Sequence, residues 1–399
     1  MSEGRSQASW DAAELEKKLL DEESLFVFDV RNEDEFGSWK VEGRRPLETV
    51  NVPYYEMLEV DEFEDVVDSF EDFLQRRWID KLPKDKPILT VCAKGDTSEY
   101  VAAAMRRLEL DAVNLAGGTR AWGDYYAVRS VDVKETRTIL QVSRPARGCL
   151  SYVVISAGEA LVIDPLRHHD HYVEICKQAG AEIVAVVDTH GHADHISGGP
   201  ALAKQTKASY HLHPYDGIHP IDVVPARIDF EYIEDGMEFS VGDSRLVALH
   251  IPGHTLGNQA LQLDMDYLFA GDSIFITSIA RPDLGGRGDT WAPMHYESLQ
   301  RLMALSDDMI VLPGHCGSLA EADAEGVVRA RLGDLKRDNH GLAEAQGSKE
   351  AFVEFILSSL PEFPQEYVEI KRVNAGLAVP SESQASELEL GKNICAVTD

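Results

Sequence analysis

The spacing of apolar positions changes partway along this 399-residue chain. Residues 1–24 begin polar and then predict one amphipathic helix, AAELEKKLL. LFVFDV (25–30) predicts a short buried strand, and a turn-rich segment follows to Pro53. Over 59–78, Phe63, Val66, Val67, Phe70 and Leu74 fall on one face of a predicted helix whose acids form the solvated face. PILTVC (87–92) predicts a buried strand, SEYVAAAMRRLEL (98–110) a helix and AVNL (112–115) another strand. Strands alternating with helices imply a parallel α/β sheet, here ending near Tyr126.

Residues 128–138, VRSVDVKETRT, are charged and lack apolar periodicity, which predicts a linker. Beyond it TILQV, LSYVVIS and ALVIDP follow as strands with short turns, then helices alternate with strands, then RLVALHI, QALQLD and YLFAGD. This order predicts two packed sheets flanked by helices. The tail from about Ala320 reads as mostly helical, and no internal repeat occurs. The length also suits two domains, placed at 1–128 and 132–399, the second with a helical C-terminal extension.

Composition narrows the class. The net charge is −31, from 69 acids against 38 bases spread along the chain, which disfavours nucleic acid and anionic membranes as partners. Such acid density also suits a high-salt cytoplasm, where screening tolerates it. No basic-then-apolar leader opens the chain and no run of about 18 apolar residues occurs, so a cytoplasmic protein that spans no membrane is expected. Five scattered cysteines without a C-x-x-C argue against disulfides or a zinc knuckle. Self-association is left open.

The densest chemistry is DTHGHADHISGG (188–199), which follows the apolar run EIVAVV. In an extended segment, side chains two apart share a face, so His190 and His192 can point to one spot. Asp194 and His195 follow as the chain turns towards a helix near Ser197–Lys204. The same grammar, apolar strand then turn then His or Asp, recurs at His254, Asp272 and His315. If the ends of these strands share an edge, their loops converge on a metal site. His168, His169 and His171 open a surface helix instead, and His250 within a strand reads as packing.

THGHADH, PGHTLGN, FAGDSIF and LPGH resemble the metallo-β-lactamase superfamily over roughly 132–330, which implies an αβ/βα sandwich. GDSIFITSIARPDL (271–284) resembles the persulfide dioxygenase branch, and the tail AFVEFILSSLPEFPQEYVEIKRVNAG resembles the C-terminal helices of that sulfur-metabolising group. The resemblance implies one Fe(II) per chain held by His190, His254 and Asp272. Two histidines and a carboxylate leave iron positions open for substrate and O2. His192, Asp194, His195 and His315 would then orient ligands or handle protons. Alternatively they bind a second metal, as in the hydrolase branch with two zinc ions. Arg281 is the expected clamp for a carboxylate on the substrate, against a local ion pair with Asp283. Cys316 reads as a packing residue.

Cys92 ends a buried strand before a Gly-containing loop and a helix, where loop amides and the helix N-terminus stabilise an anion on sulfur. FDVRNEDEF (28–36), VCAKGDTS (91–98) and LAGGTRAW (115–122) resemble a rhodanese domain over about 10–126, with Cys92 at the sulfur-carrying position. Thr97 stands where many such loops have Arg, and Lys94 is the charge available instead. Together the halves imply an α/β enzyme that takes sulfane sulfur from thiosulfate or another donor. It would oxidise a low-molecular-weight thiol persulfide with O2 to sulfite and free thiol. The rivals are a glyoxalase II-type thioester hydrolase and a non-enzymatic sulfur carrier or sensor.

Overall fold

In the computed structural model, residues 8–58, 65–391 and 393–397 are described. The N-terminal part builds an all-parallel sheet in the order Ser9–Trp10, Ala112–Leu115, Ile88–Val91, Phe26–Asp29, Glu48–Asn51. Ile88–Val91 is buried throughout because both of its faces are covered. Ile88 packs with Val67, Phe70, Val101 and Met105, whereas Leu89 and Val91 pack with Leu15, Leu19 and Trp122.

The helix expected over 59–78 runs Val66–Arg77, with Asp65 accepting a cap hydrogen bond from Val67 N. Val67, Phe70, Phe73 and Leu74 form its buried face, and Val66 is exposed. Phe63 lies outside the described residues. The next helix is Asp96–Arg107, shorter at its end than expected because Glu109 takes a left-handed backbone (φ 63°).

The stretch expected as a linker is a correction. Ala127–Val133 pairs antiparallel with Thr138–Arg144 at the edge of a seven-stranded sheet. An edge strand with one wet face needs few apolar residues, so its charge concealed it.

That sheet has the order Glu231–Tyr232, Ser209–Leu212, Glu182–Val187, Glu159–Ile163, Cys149–Ser156, Thr138–Arg144, Ala127–Val133. A six-stranded sheet faces it: Glu238–Val241, Ser244–His250, Gln259–Leu263, Tyr267–Gly271, Ile310–Pro313, Ala330–Arg331. The core between them interleaves Leu150, Tyr152, Leu161 and Val187 with Leu246, Leu261, Phe269 and Leu312. Asp170–Gln178 and Gly199–Thr206 cover one outer face. Gly288–Met303 and the helices Leu332–Asp338, His340–Ala345 and Lys349–Ser358 cover the other. The result is an αβ/βα sandwich. Its last helices, Glu366–Asn374 and Glu382–Leu388, fold back over the loop after Val187 through Ile196, Ile370 and Ala385.

Candidate metal centre

The repeated strand–turn–ligand grammar corresponds to one edge of the sandwich. His190, His254, Asp272 and His315 each follow the end of a strand, and all are buried. The rings form a chain: centroids lie 5.0 Å apart for His190–His254, 4.2 Å for His190–His192, 4.2 Å for His192–His195 and 5.8 Å for His195–His315. The seven expected residues do not make one cluster. With Cys149, Asp164 and Asp188 beside them, their ligand atoms divide into three groups, each within 4.8 Å: His190, His254 and Asp272; Cys149, Asp194, His195 and His315; and Asp164, Asp188 and His192.

In the first group, His190 Nε2, His254 Nε2 and Asp272 Oδ2 are buried and lack hydrogen-bond partners. Asp272 Oδ2 is 3.4 Å from His254 Nε2 and 3.9 Å from His190 Nε2. Buried polar atoms left unpaired are costly, and three that converge suit a cation. The surroundings fix which atoms face inward. His254 Nδ1 donates to Arg281 O at 2.8 Å, His190 Nδ1 is 3.0 Å from Thr189 Oγ1, and Asp272 Oδ1 is 2.7 Å from His315 Nδ1. Burial pushes His190 and His254 towards the neutral form that ligates metals. A Cβ at Gly314 would sit 2.4 Å from Asp272 Oδ1, so only glycine admits the carboxylate here.

His192 faces elsewhere. Its Nε2 lies 3.2 Å from Asp164 Oδ1 and 3.7 Å from Asp188 Oδ1. Burial alone would lower its pKa, but these carboxylates outweigh that and raise it well above the ordinary value. Asp164 holds a left-handed backbone (φ 50°) and also accepts from Thr189 N and Oγ1, at 2.6 and 2.9 Å. A strained non-glycine residue at a site marks a position the fold insists on.

Asp194 Oδ2 accepts from Asn393 Nδ2 at 2.7 Å and lies 2.9 Å from His315 Nε2 and 3.1 Å from His195 Nδ1. Cys149 Sγ is 3.7 Å from the same oxygen. Burial would raise the Cys149 thiol, yet His195 and His315 beside it bring it down to about 6.

Arg281 is held within the chain. Its guanidinium forks onto Asp283 at 2.6 and 2.8 Å and donates to the carbonyls of Pro361, Glu362 and Ile394. No N–H is left for a ligand carboxylate, so the local ion pair is what the structure has. Cys316 packs in the core between the sheets.

The C-terminal helices clamp the histidine loop. Asn374 Nδ2 donates to His192 O and His195 O, Lys371 Nζ to Gly191 O, and Glu389 Oε1 accepts from Ile196 N. Asp216 ties that loop to the one bearing His254, accepting from Gly191 N, Thr255 Oγ1 and Gly257 N. A cavity of about 390 Å³ opens onto His190 and His192, walled by Tyr215, Leu256, Trp291 and Met294, with the exposed Arg287 also lining it.

Sequence reasoning missed Asp164, Asp188, Cys149, Asp216 and Lys371. Asp164 and Asp188 obey the strand-end grammar, in VVIS…VIDP and VAVVD, and could have been found by it. The others depend on contacts between distant segments and leave no local signal.

In the N-terminal part, Cys92 Sγ is buried and accepts from Gly95 N at 3.0 Å and Ser98 Oγ at 3.2 Å. Gly95 is left-handed (φ 89°), and a Cβ there would meet Gly117 N at 2.6 Å, so the loop needs glycine to close over the sulfur. Lys94 is exposed.

This architecture has relatives. The family model of the metallo-beta-lactamase superfamily matches residues 144–315, and that of the rhodanese-like domain matches 11–125. The chain belongs to the metallo-β-lactamase superfamily and carries a rhodanese-like domain before that fold. A hydroxyacylglutathione hydrolase of Maricaulis maris is 30% identical over 187 residues, 47% of this chain and 66% of that protein. The chain thus spans just under two thirds of that relative's length. A metallo-beta-lactamase of Staphylococcus aureus superposes with a TM-score of 0.53 at 25% identity, covering 60% of this chain and 73% of that one. ETHE1 from Myxococcus xanthus gives 0.48 at 24% identity, covering 63% and 100%. Among the described residues, no helix is long and apolar enough to cross a membrane.

Proposed function

We propose that the chain oxidises a low-molecular-weight thiol persulfide with O2 and water, giving the free thiol and sulfite: RSSH + O2 + H2O → RSH + HSO3⁻ + H⁺. Residues 132–399 perform this step, and residues 1–128 handle sulfane sulfur at Cys92. The observation that carries the reading is the cluster of His190 Nε2, His254 Nε2 and Asp272 Oδ2, from which His192 stands apart in a group with Asp164 and Asp188. Two imidazoles and one carboxylate suit a single ferrous ion with several open positions. Bound there, iron supplies a place where persulfide sulfur and O2 meet.

The protein's own groups do the rest. Arg281 O and Thr189 Oγ1 fix the two imidazoles, and His315 steadies Asp272. The cavity offers Tyr215, Leu256, Trp291 and Met294 to the body of a thiol carrier, and Arg287 lines it where a carrier's carboxylate can meet a guanidinium.

A second reading is a dinuclear thioester hydrolase. It is supported by the grouping of Asp194, His195 and His315 beside the first set, and by likeness to hydroxyacylglutathione hydrolases. Metals held by these residues would supply activation of a water for attack on the thioester. Anaerobic purification, metal analysis and an O2 electrode separate the two: iron with O2 uptake on glutathione persulfide supports oxidation. Two zinc ions, thioester cleavage and no O2 uptake support hydrolysis.

A further inference from the structure

Lys371, on the helix Glu366–Asn374, lines the cavity beside His190 and Gly191 and is only 7% exposed. Its Nζ makes one hydrogen bond, to Gly191 O at 2.8 Å. An ammonium has three donors, so two remain without a partner among the described residues. No carboxylate of those residues comes within ion-pair distance. The oxygens of Asp216, the carboxylate that acts on it most, are engaged by Gly191 N, Thr255 Oγ1 and Gly257 N. A buried cation without a counter-ion is expensive to keep, and this one lines a cavity wide enough for a ligand. Burial lowers its pKa, and the cavity it shares with His190 puts it beside the proposed reacting end.

We infer that Lys371 completes an anion site for a compact, negatively charged sulfur group: the terminal sulfur of the persulfide, and the sulfite formed from it. The inference rests on the proposed function for its substrate class. The ligand supplies the missing counter-ion, and the ammonium meets it with charge-assisted hydrogen bonds. The plainer role is a prop for the Gly191 carbonyl, which needs the hydrogen bond but not the charge.

The test is calorimetric titration of the holoenzyme with sodium sulfite, without turnover, for wild type, Lys371→Gln and Lys371→Arg, with metal content measured for each. Gln keeps a donor for Gly191 O and removes the charge; Arg keeps the charge. The expected result is a loss of sulfite affinity of about tenfold or more in Lys371→Gln, and near wild-type affinity in Lys371→Arg, at equal metal content. Equal sulfite affinity in wild type and Lys371→Gln overturns the inference, as does a wild type that binds no sulfite. So does a loss confined to reduced glutathione, which would assign Lys371 to a carboxylate. If Lys371→Gln loses metal or fails to fold, the comparison passes to Lys371→Arg against Lys371→Met, and equal sulfite affinity there also overturns it. Failure of O2 uptake with charge-dependent sulfite binding intact would remove the oxidation reading and leave this site standing.

Discussion

His192 turns its Nε2 to Asp164 Oδ1, 3.2 Å away, although it stands two residues from His190 in the same loop. The two imidazoles therefore serve different carboxylates, and only His190 shares a cluster with His254 and Asp272. The expected outcome for His192→Ala is retention of about one metal per chain, whereas His254→Ala loses it. Elemental analysis of the purified variants checks this. Two metals in wild type, falling to one in His192→Ala, would contradict it.

The H-x-H-x-D-H signature and the strand-end grammar made the site legible, because both are local: a strand of period two ends, and a ligand follows. The split between His190 and His192 was not legible. It is decided by Asp164 and Asp188, which come from neighbouring strand ends. The clamp by Lys371, Asn374 and Glu389 spans about 180 residues of sequence and has no periodic trace. Arg281 could not be resolved from sequence for a physical reason: a guanidinium beside an acid two residues on reads alike whether it faces a ligand or carbonyls from the C-terminal tail. The three central strands of the N-terminal sheet were legible, since fully buried parallel strands are continuous apolar runs, whereas the edge strands Ser9–Trp10 and Glu48–Asn51 were not. The edge strand Ala127–Val133 was lost for the opposite reason.

Arg281 is expected to act on stability and metal retention instead of substrate affinity. Lys cannot reproduce two bonds to Asp283 and three to carbonyls. Arg281→Lys should lower unfolding free energy by about 3 kcal/mol and weaken metal binding, since the Arg281 carbonyl holds His254. Denaturant melts and metal titration read this. A raised KM for the persulfide with unchanged stability would restore the clamp.

Glu389 fastens the last helix to the histidine loop. Burial would raise its carboxyl, but Arg144, Arg147 and Arg167 outweigh it and hold the pKa at about 2, below the ordinary 4.5. A depressed carboxyl stabilises the fold fully above the unfolded value and loses that contribution as pH falls from 4.5 towards 2. Glu389→Gln should therefore cost about 3 kcal/mol at pH 7 and progressively less towards pH 2. Parallel wild-type and variant melts across that range measure it. A pH-independent difference would show that the charge is not the cause.

Cys92 belongs to a separate sheet, with its sulfur cradled by Gly95 N and Ser98 Oγ. Cys92→Ser should abolish transfer of sulfur from thiosulfate to cyanide while leaving O2 uptake on preformed persulfide close to wild type. Loss of both activities together would mean the two halves act as one site.

The most direct measurement is O2 consumption by anaerobically purified, iron-quantified protein given glutathione persulfide, beside Asp272→Ala. The account predicts uptake of one O2 per sulfite formed, proportional to iron content and absent from Asp272→Ala. Full turnover by iron-free protein, or by Asp272→Ala, would contradict it.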